Sequence, residues 1–226
     1  SMGNNPITQI DPLGDDKYKI DRRGNITLKK KTNRDFDLLI GKNEQGLRIQ
    51  MKLGKGVLAS PKSETTSRTH NVLQPDESFK EITLEYKTDS YSGELGNLEN
   101  MFEFMAQVTD VEWGLFRFGK NSILETGILT TSHDESTVVL PIIQSEYFQG
   151  SDFNGHDHIH PGNSKTPSGF LGSGKGDVFF ARSLERIFTD KELKFRIYTK
   201  DRIYTPYDTQ TLEDKGGIII KRPKKQ

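Results

Sequence analysis

The stretch "GHDHIHPGNSKTPSGFLGSGKGD", residues 155–177, holds three of the chain's five histidines at alternate positions, His156, His158 and His160. A proline, a loop of glycines and serines and a single aspartate, Asp177, follow. Alternate residues of an extended strand share a face, so His158 and His160 point the same way and their ring nitrogens can meet one ion. Two neutral imidazoles, a carboxylate and an open fourth position make the usual catalytic zinc arrangement. Asp177 supplies the carboxylate if the loop folds back, because it stands where a helix N-cap belongs, ahead of "VFFARSLERIF" (178–188). Phe180, Leu184 and Ile187 of that segment fall on one helical face. A water on the fourth position becomes acidic near neutral pH and needs a general base beside it, for which Glu112 is the candidate.

Working outward, "GELGNLENMFEFMAQVTD" (93–110) carries Leu95, Leu98, Met101 or Phe102, Met105 and Val108 at helical spacing, a core-facing stripe. Three strands of a meander are expected at "VEWGLFRFG" (111–119), "SILETGILTTS" (122–132) and "STVVLPIIQS" (136–145), with Trp113 in the core. Past the histidine loop and its helix, "KFRIYT" (194–199) and "DRIYTPYD" (201–208) form a strand pair, and "GGIIIKRP" (216–223) adds an edge strand. Upstream, "YKIDRRGNITLKK" (18–30) reads as a hairpin whose turn residues Gly24 and Asn25 suit positive φ. "FDLLIG" (36–41) and "LRIQMKLG" (47–54) are two further strands, and the polar residues 53–78 are expected as a long mobile loop. The sum is an α+β fold, a mixed β-sheet flanked by helices with a β-rich N-terminal extension. Its expected segments are a linker at 1–16, a small β-rich region at 17–90 and the main domain at 91–226.

Composition removes several function classes. Thirty-two basic and 32 acidic residues cancel, so no global charge draws the chain to nucleic acid or to a membrane surface. The basic tail "KRPKKQ" (221–226) reads as a solvated end. With no cysteine, disulfides, thiolate ligands and thiol catalysis are excluded, and a metal site must use His, Asp or Glu. No apolar run approaches the ~20 residues that span a bilayer, no signal-peptide layout opens the chain, and "SMG" reads as a cloning remnant. A nucleotide-hydrolysing histidine triad wants apolar residues between its histidines, where Asp157 stands. A cupin wants a glutamate soon after the second histidine, and none lies between His160 and Glu185.

The ordered set Glu112-Trp-Gly-Leu, His158-Ile-His160-Pro161, Pro167-Ser168 and Asp177 resembles the motif of the JAB/JAMM (MPN-type) metallopeptidases, over roughly residues 92–210. The resemblance implies zinc on His158, His160 and Asp177, the catalytic water on Glu112, and an oxyanion stabilised by Ser168. It implies a peptidase or isopeptidase acting on a protein or peptide. His156 is read as a bystander or a supporting group, and Glu125 on the next strand is an alternative base. The family has two residues between its serine and aspartate, whereas eight separate Ser168 from Asp177 here. Either "GFLGSGKG" (169–176) is an insertion, or Ser173 takes the serine's part. A rival reading from a different class is a catalytically silent MPN-like module that binds protein and holds no metal.

A second resemblance lies in "NPITQIDPLG" (5–14), whose Asp-Pro-Leu-Gly is similar to the junction between an Rhs-repeat core and its variable C-terminal toxin. It implies the toxin tip of a secreted Rhs effector, delivered into the cytoplasm of a competing cell. The implied partners are the parent Rhs core and a cognate immunity protein.

Overall fold

The computed structural model describes residues 16–32, 35–59, 61–73, 78–120, 123–135, 152–169, 176–209, 211–215 and 218–221. Strands β1 (Asp16–Ile20), β2 (Ile26–Lys30), β3 (Phe36–Lys42) and β4 (Arg48–Gly54) form a sheet in the order β2-β1-β3-β4. The β1–β2 hairpin turns where the Asp21 carboxylate accepts the N–H groups of Arg23 and Asn25, both at 2.9 Å. Gly24 takes φ +78° there, whereas Asn25 keeps an ordinary negative φ, contrary to expectation.

A seven-stranded sheet carries the site. It runs β11-β10-β9-β7-β8-β6-β5, with β5 (Lys62–Leu73), β6 (Phe79–Glu94), β7 (Trp113–Lys120), β8 (Ile123–Thr131), β9 (Phe153–Ile159), β10 (Lys194–Tyr198) and β11 (Tyr204–Tyr207). Its β9–β10 pair is parallel and the others are antiparallel, so the expected α+β mixed sheet is the observed one. Helix α1 (Leu95–Val108) packs on one face and helix α2 (Asp177–Ile187) on the other. Alternation along the strands sends Trp113, Leu115 and Leu129 toward α1, and Phe116, Ile128 and Ile197 toward α2.

The α1 stripe is buried as its spacing demands, with Leu98, Met101, Phe102 and Met105 all at 0% exposure. Its far side meets the four-stranded sheet, whose Tyr18, Ile20, Leu39 and Leu53 join the same cluster. Gly41 of β3 is a close-approach position, since a Cβ there would stand 2.7 Å from Val108 Cγ1. His133 ties the two sheets together. Its Nδ1 lies 2.8 Å from the Arg23 carbonyl in the β1–β2 turn, and its Nε2 lies 2.9 Å from Asp89 on β6.

Four expectations need correction. The loop at 53–78 contains β5, a 12-residue strand paired along its whole length with β6. Its threonines favour extended backbone, but with few apolar side chains it gives no hydrophobic alternation. The buried face of α2 is Val178, Ala181 and Leu184, while Phe180 is half-buried and Ile187 is 58% exposed. Asp177 is the first helical residue and Gly176 the cap. The "GGIIIKRP" strand, β13 (Ile218–Lys221), pairs with β12 (Thr211–Lys215) in a two-stranded sheet of its own. The third meander strand, at 136–145, lies outside the described residues, as do the junction residues 5–14.

Candidate metal centre

The register of β9 against β7 builds the centre. Gly114 is the Cα partner of His158, and Phe116 that of His156. Continuing the antiparallel pairing puts Glu112, just ahead of β7, level with His160 on the α2 face. Gly114 contributes no side chain between them. Glu112 is fixed through its main chain, its N–H donating to the Asp134 carbonyl at 2.8 Å and its carbonyl accepting from Thr131 Oγ1 at 2.8 Å.

His158 and His160 meet through their Nε2 atoms, 2.9 Å apart. Asp177 completes the group, its Oδ1 3.3 Å from His158 Nε2 and its Oδ2 3.4 Å from His160 Nε2. The three donor atoms lie within 4.8 Å of one another. The chemistry of the set fits a divalent ion. His160 Nδ1 stands 2.9 Å from the Ser164 carbonyl, an acceptor, so it carries the ring proton and Nε2 presents a lone pair. A turn closed by Asn163 N–H donating to the His160 carbonyl at 3.0 Å brings Ser164 back under the ring.

Asp177 arrives from a distant part of the sequence, and Ser168 fixes it. The Ser168 N–H donates to Asp177 Oδ2 at 2.6 Å, the Asp177 N–H donates to Ser168 Oγ at 3.2 Å, and Val178 N–H donates to the Ser168 carbonyl at 3.0 Å. The base of the intervening loop is pinched shut by two glycines. A Cβ on Gly176, at φ +89°, would lie 2.6 Å from the Gly169 backbone. Gly169 and Gly176, the two ends of the 169–176 segment, therefore meet at one point. Ser173 lies outside the described residues, and so does the side chain of Glu125 on β8.

Electrostatics follow from burial. His158 is 2% exposed, which works against its charged form, but the neighbouring Asp177 carboxylate outweighs this and raises its pKa. Burial also acts on Asp177, yet His158, His160 and the Ser168 N–H hold its carboxyl far below the usual range. Glu112 moves the other way, pushed up to about 7, chiefly by burial. The charges it feels next are those of His158, Asp177 and Asp134, which places its carboxyl group in the same electrostatic neighbourhood. An acid tuned to the neutral range is suited to accept and release a proton there.

On the opposite face, Asp157, between His156 and His158 in the strand, sits at 0% exposure. It accepts Arg196 Nε at 2.9 Å and Nη2 at 2.6 Å, and lies 3.2 Å from Arg117 Nη2. This clamp joins β7, β9 and β10 directly behind the ligands. Sequence reasoning found the candidate ligands but missed the clamp, the Ser164 carbonyl and Tyr207, whose ring stands edge-on to His158 at 5.8 Å. No periodicity marks such groups, because they come from the α1 face, the main chain and a strand 49 residues downstream of His158.

Residues 91–182 match the family described as JAB-like toxin 1. Neither a curated protein nor a solved structure matches the chain. Among the described residues no helix is long and apolar enough to cross a membrane.

Proposed function

Residues 91–182 carry a JAB-like toxin domain, and on that premise we propose that the chain is a zinc-dependent peptidase or isopeptidase that hydrolyses an amide bond in a protein or peptide. The observation that carries the reading is the convergence of His158 Nε2, His160 Nε2 and an Asp177 carboxylate on one point, with the Glu112 carboxyl group tuned beside them.

His158, His160 and Asp177 would hold a zinc ion, which would supply there a Lewis acid able to acidify water and polarise a carbonyl. Glu112 accepts the proton of the attacking water as the new C–O bond forms. It returns that proton to the amine nitrogen as the C–N bond breaks. Ser168 is exposed at the mouth of the site, and its Oγ already accepts from the Asp177 N–H. With Oγ accepting there, its hydroxyl proton is the group that would donate to the oxyanion of the tetrahedral intermediate. A polar cavity of ≈ 430 Å³ begins one residue beyond His160, at Pro161. Asn43 and Gln45 of the β3–β4 turn line it with Gln107, Asn163 and Lys200.

The toxin family and the Asp-Pro-Leu-Gly at 11–14 together support delivery as the tip of an Rhs-type effector, with action in the recipient's cytoplasm and neutralisation by an immunity protein. The deciding experiment is elemental mass spectrometry of the purified protein beside His158→Ala and Glu112→Gln. About one zinc per chain, lost with His158→Ala, is expected. Glu112→Gln should keep the zinc and lose both hydrolysis and toxicity on expression. No zinc uptake at neutral pH would sink the hydrolase and leave a silent protein-binding module.

A further inference from the structure

Among the described residues eight buried side-chain polar atoms have no hydrogen-bond partner, and four of them lie in one place behind the metal centre. They are both ring nitrogens of His156, His158 Nδ1 and the Tyr207 hydroxyl. The three side chains are 4%, 2% and 5% exposed, so bulk solvent does not serve them. Leaving four such atoms unpaired costs far more than a fold concentrates in one spot without cause.

Their arrangement is specific. Phe195 is the Cα partner of His156 on one side and of Tyr207 on the other, which sets the two polar rings on the same face of the sheet as His158. The His156 and His158 rings are stacked, with centroids 5.6 Å apart and planes 11° from parallel, and Tyr207 meets His158 edge-on. Phe116 at 4.4 Å and Phe180 at 5.3 Å close the remaining sides of His156 with apolar surface.

The proton inventory shows what is missing. If His158 presents its Nε2 lone pair to an ion, its proton is on Nδ1, and a metal-bound imidazole needs an acceptor for that proton to hold its tautomer and orientation. Tyr207 offers one donor and an acceptor, and neutral His156 offers one of each. A single water would serve three of the four atoms, accepting from His158 Nδ1 and from the Tyr207 hydroxyl while donating to the free lone pair of His156, whose own N–H faces the apolar side of the pocket. Three polar partners are what a buried water ordinarily has.

We propose that His156 and Tyr207 are positioning residues which, with one internal water, fix the tautomer and direction of the metal-ligating His158. This rests on the metal reading above. It assigns a role to the histidine outside the ligand set and to a tyrosine downstream of the matched segment.

The test is a competition titration of zinc against a chromophoric chelator, made on the full chain, together with the visible spectrum of the cobalt-substituted protein. Tyr207→Phe keeps the ring against Phe195 and His158 and removes one oxygen. It should weaken zinc binding roughly tenfold and shift the cobalt bands, with an unchanged melting temperature for the metal-free protein. His156→Leu should do the same, and His156→Gln, which retains an acceptor, should recover part of the loss. Undiminished affinity and an unshifted cobalt spectrum in Tyr207→Phe would overturn the inference even if His156→Leu fails to fold. If the wild-type chain takes up neither zinc nor cobalt, the metal reading itself falls, a result that the variants cannot mimic.

Discussion

Ser168 and Asp177 stand nine positions apart and exchange two hydrogen bonds, each residue's N–H donating to the other's side chain. The pair fixes the Asp177 carboxylate beside His158 and His160. It also brings the two ends of the intervening segment, Gly169 and Gly176, together.

Gly176 stands where those two ends meet. Gly176→Ala forces a Cβ to within 2.6 Å of the Gly169 backbone at a φ of +89°, a strain of about 1–3 kcal/mol. The expected outcome is separation of Ser168 from Asp177 and zinc binding weaker by roughly tenfold, since 1.4 kcal/mol is tenfold. Chelator competition reads it, and the far-ultraviolet circular dichroism should stay unchanged.

Zinc should stabilise the protein by mass action. At a free ion concentration a hundred times Kd, the gain is about 2.7 kcal/mol for an ion that binds only the folded chain. Thermal melts with and without zinc should show the shift in the wild type, and His160→Ala should abolish it.

Asp157 compensates the buried Arg117 behind the ligands, at 3.2 Å. Asp157→Asn leaves a cation of 4% exposure without its counter-charge. The loss should reach about 3–5 kcal/mol, readable by urea unfolding.

Asp89 gives the acid dependence. Burial alone would raise its pKa, but the Ser63 hydroxyl, His133 and Lys87 lower it below the usual carboxylate value of 3.8. The folded state therefore holds this proton less tightly than the unfolded chain. The stabilisation is complete above pH ~4 and disappears as pH falls through the lowered value. Asp89→Asn should cost about 1.5–3 kcal/mol at neutral pH and flatten the acid limb of a stability-against-pH curve.

The parts of the fold that announce themselves in sequence are those with apolar periodicity. The α1 stripe and strands β7 and β8 are legible because Leu98, Met101, Met105, Trp113 and Leu115 are dictated by one core. His158 and His160 are legible as a pair because a strand's period of two puts them on one face. Strand β5 is hidden, since its sequence "KSETTSRTHNVL" satisfies backbone pairing with side chains that show no apolar pattern. The buried face of α2 was misread for a related reason. Val178 and Ala181, though small, fill the space against Phe116 and Ile197, and the larger Ile187 stays outside. The approach of Asp177 to the histidines depends on Gly169, Gly176 and main-chain bonds, and none of these has a spacing rule.

The seven-stranded sheet keeps its larger apolar cluster on the α1 side and its chemistry on the α2 side. The consequence is evolutionary. Selection can rework the loop at 169–176, the residues around Ser168 and the exposed Phe179 without touching the side chains that let the chain fold. A lineage of such domains can vary the rim of the site widely and still inherit an intact core, so divergence at the site and persistence of the fold are separable.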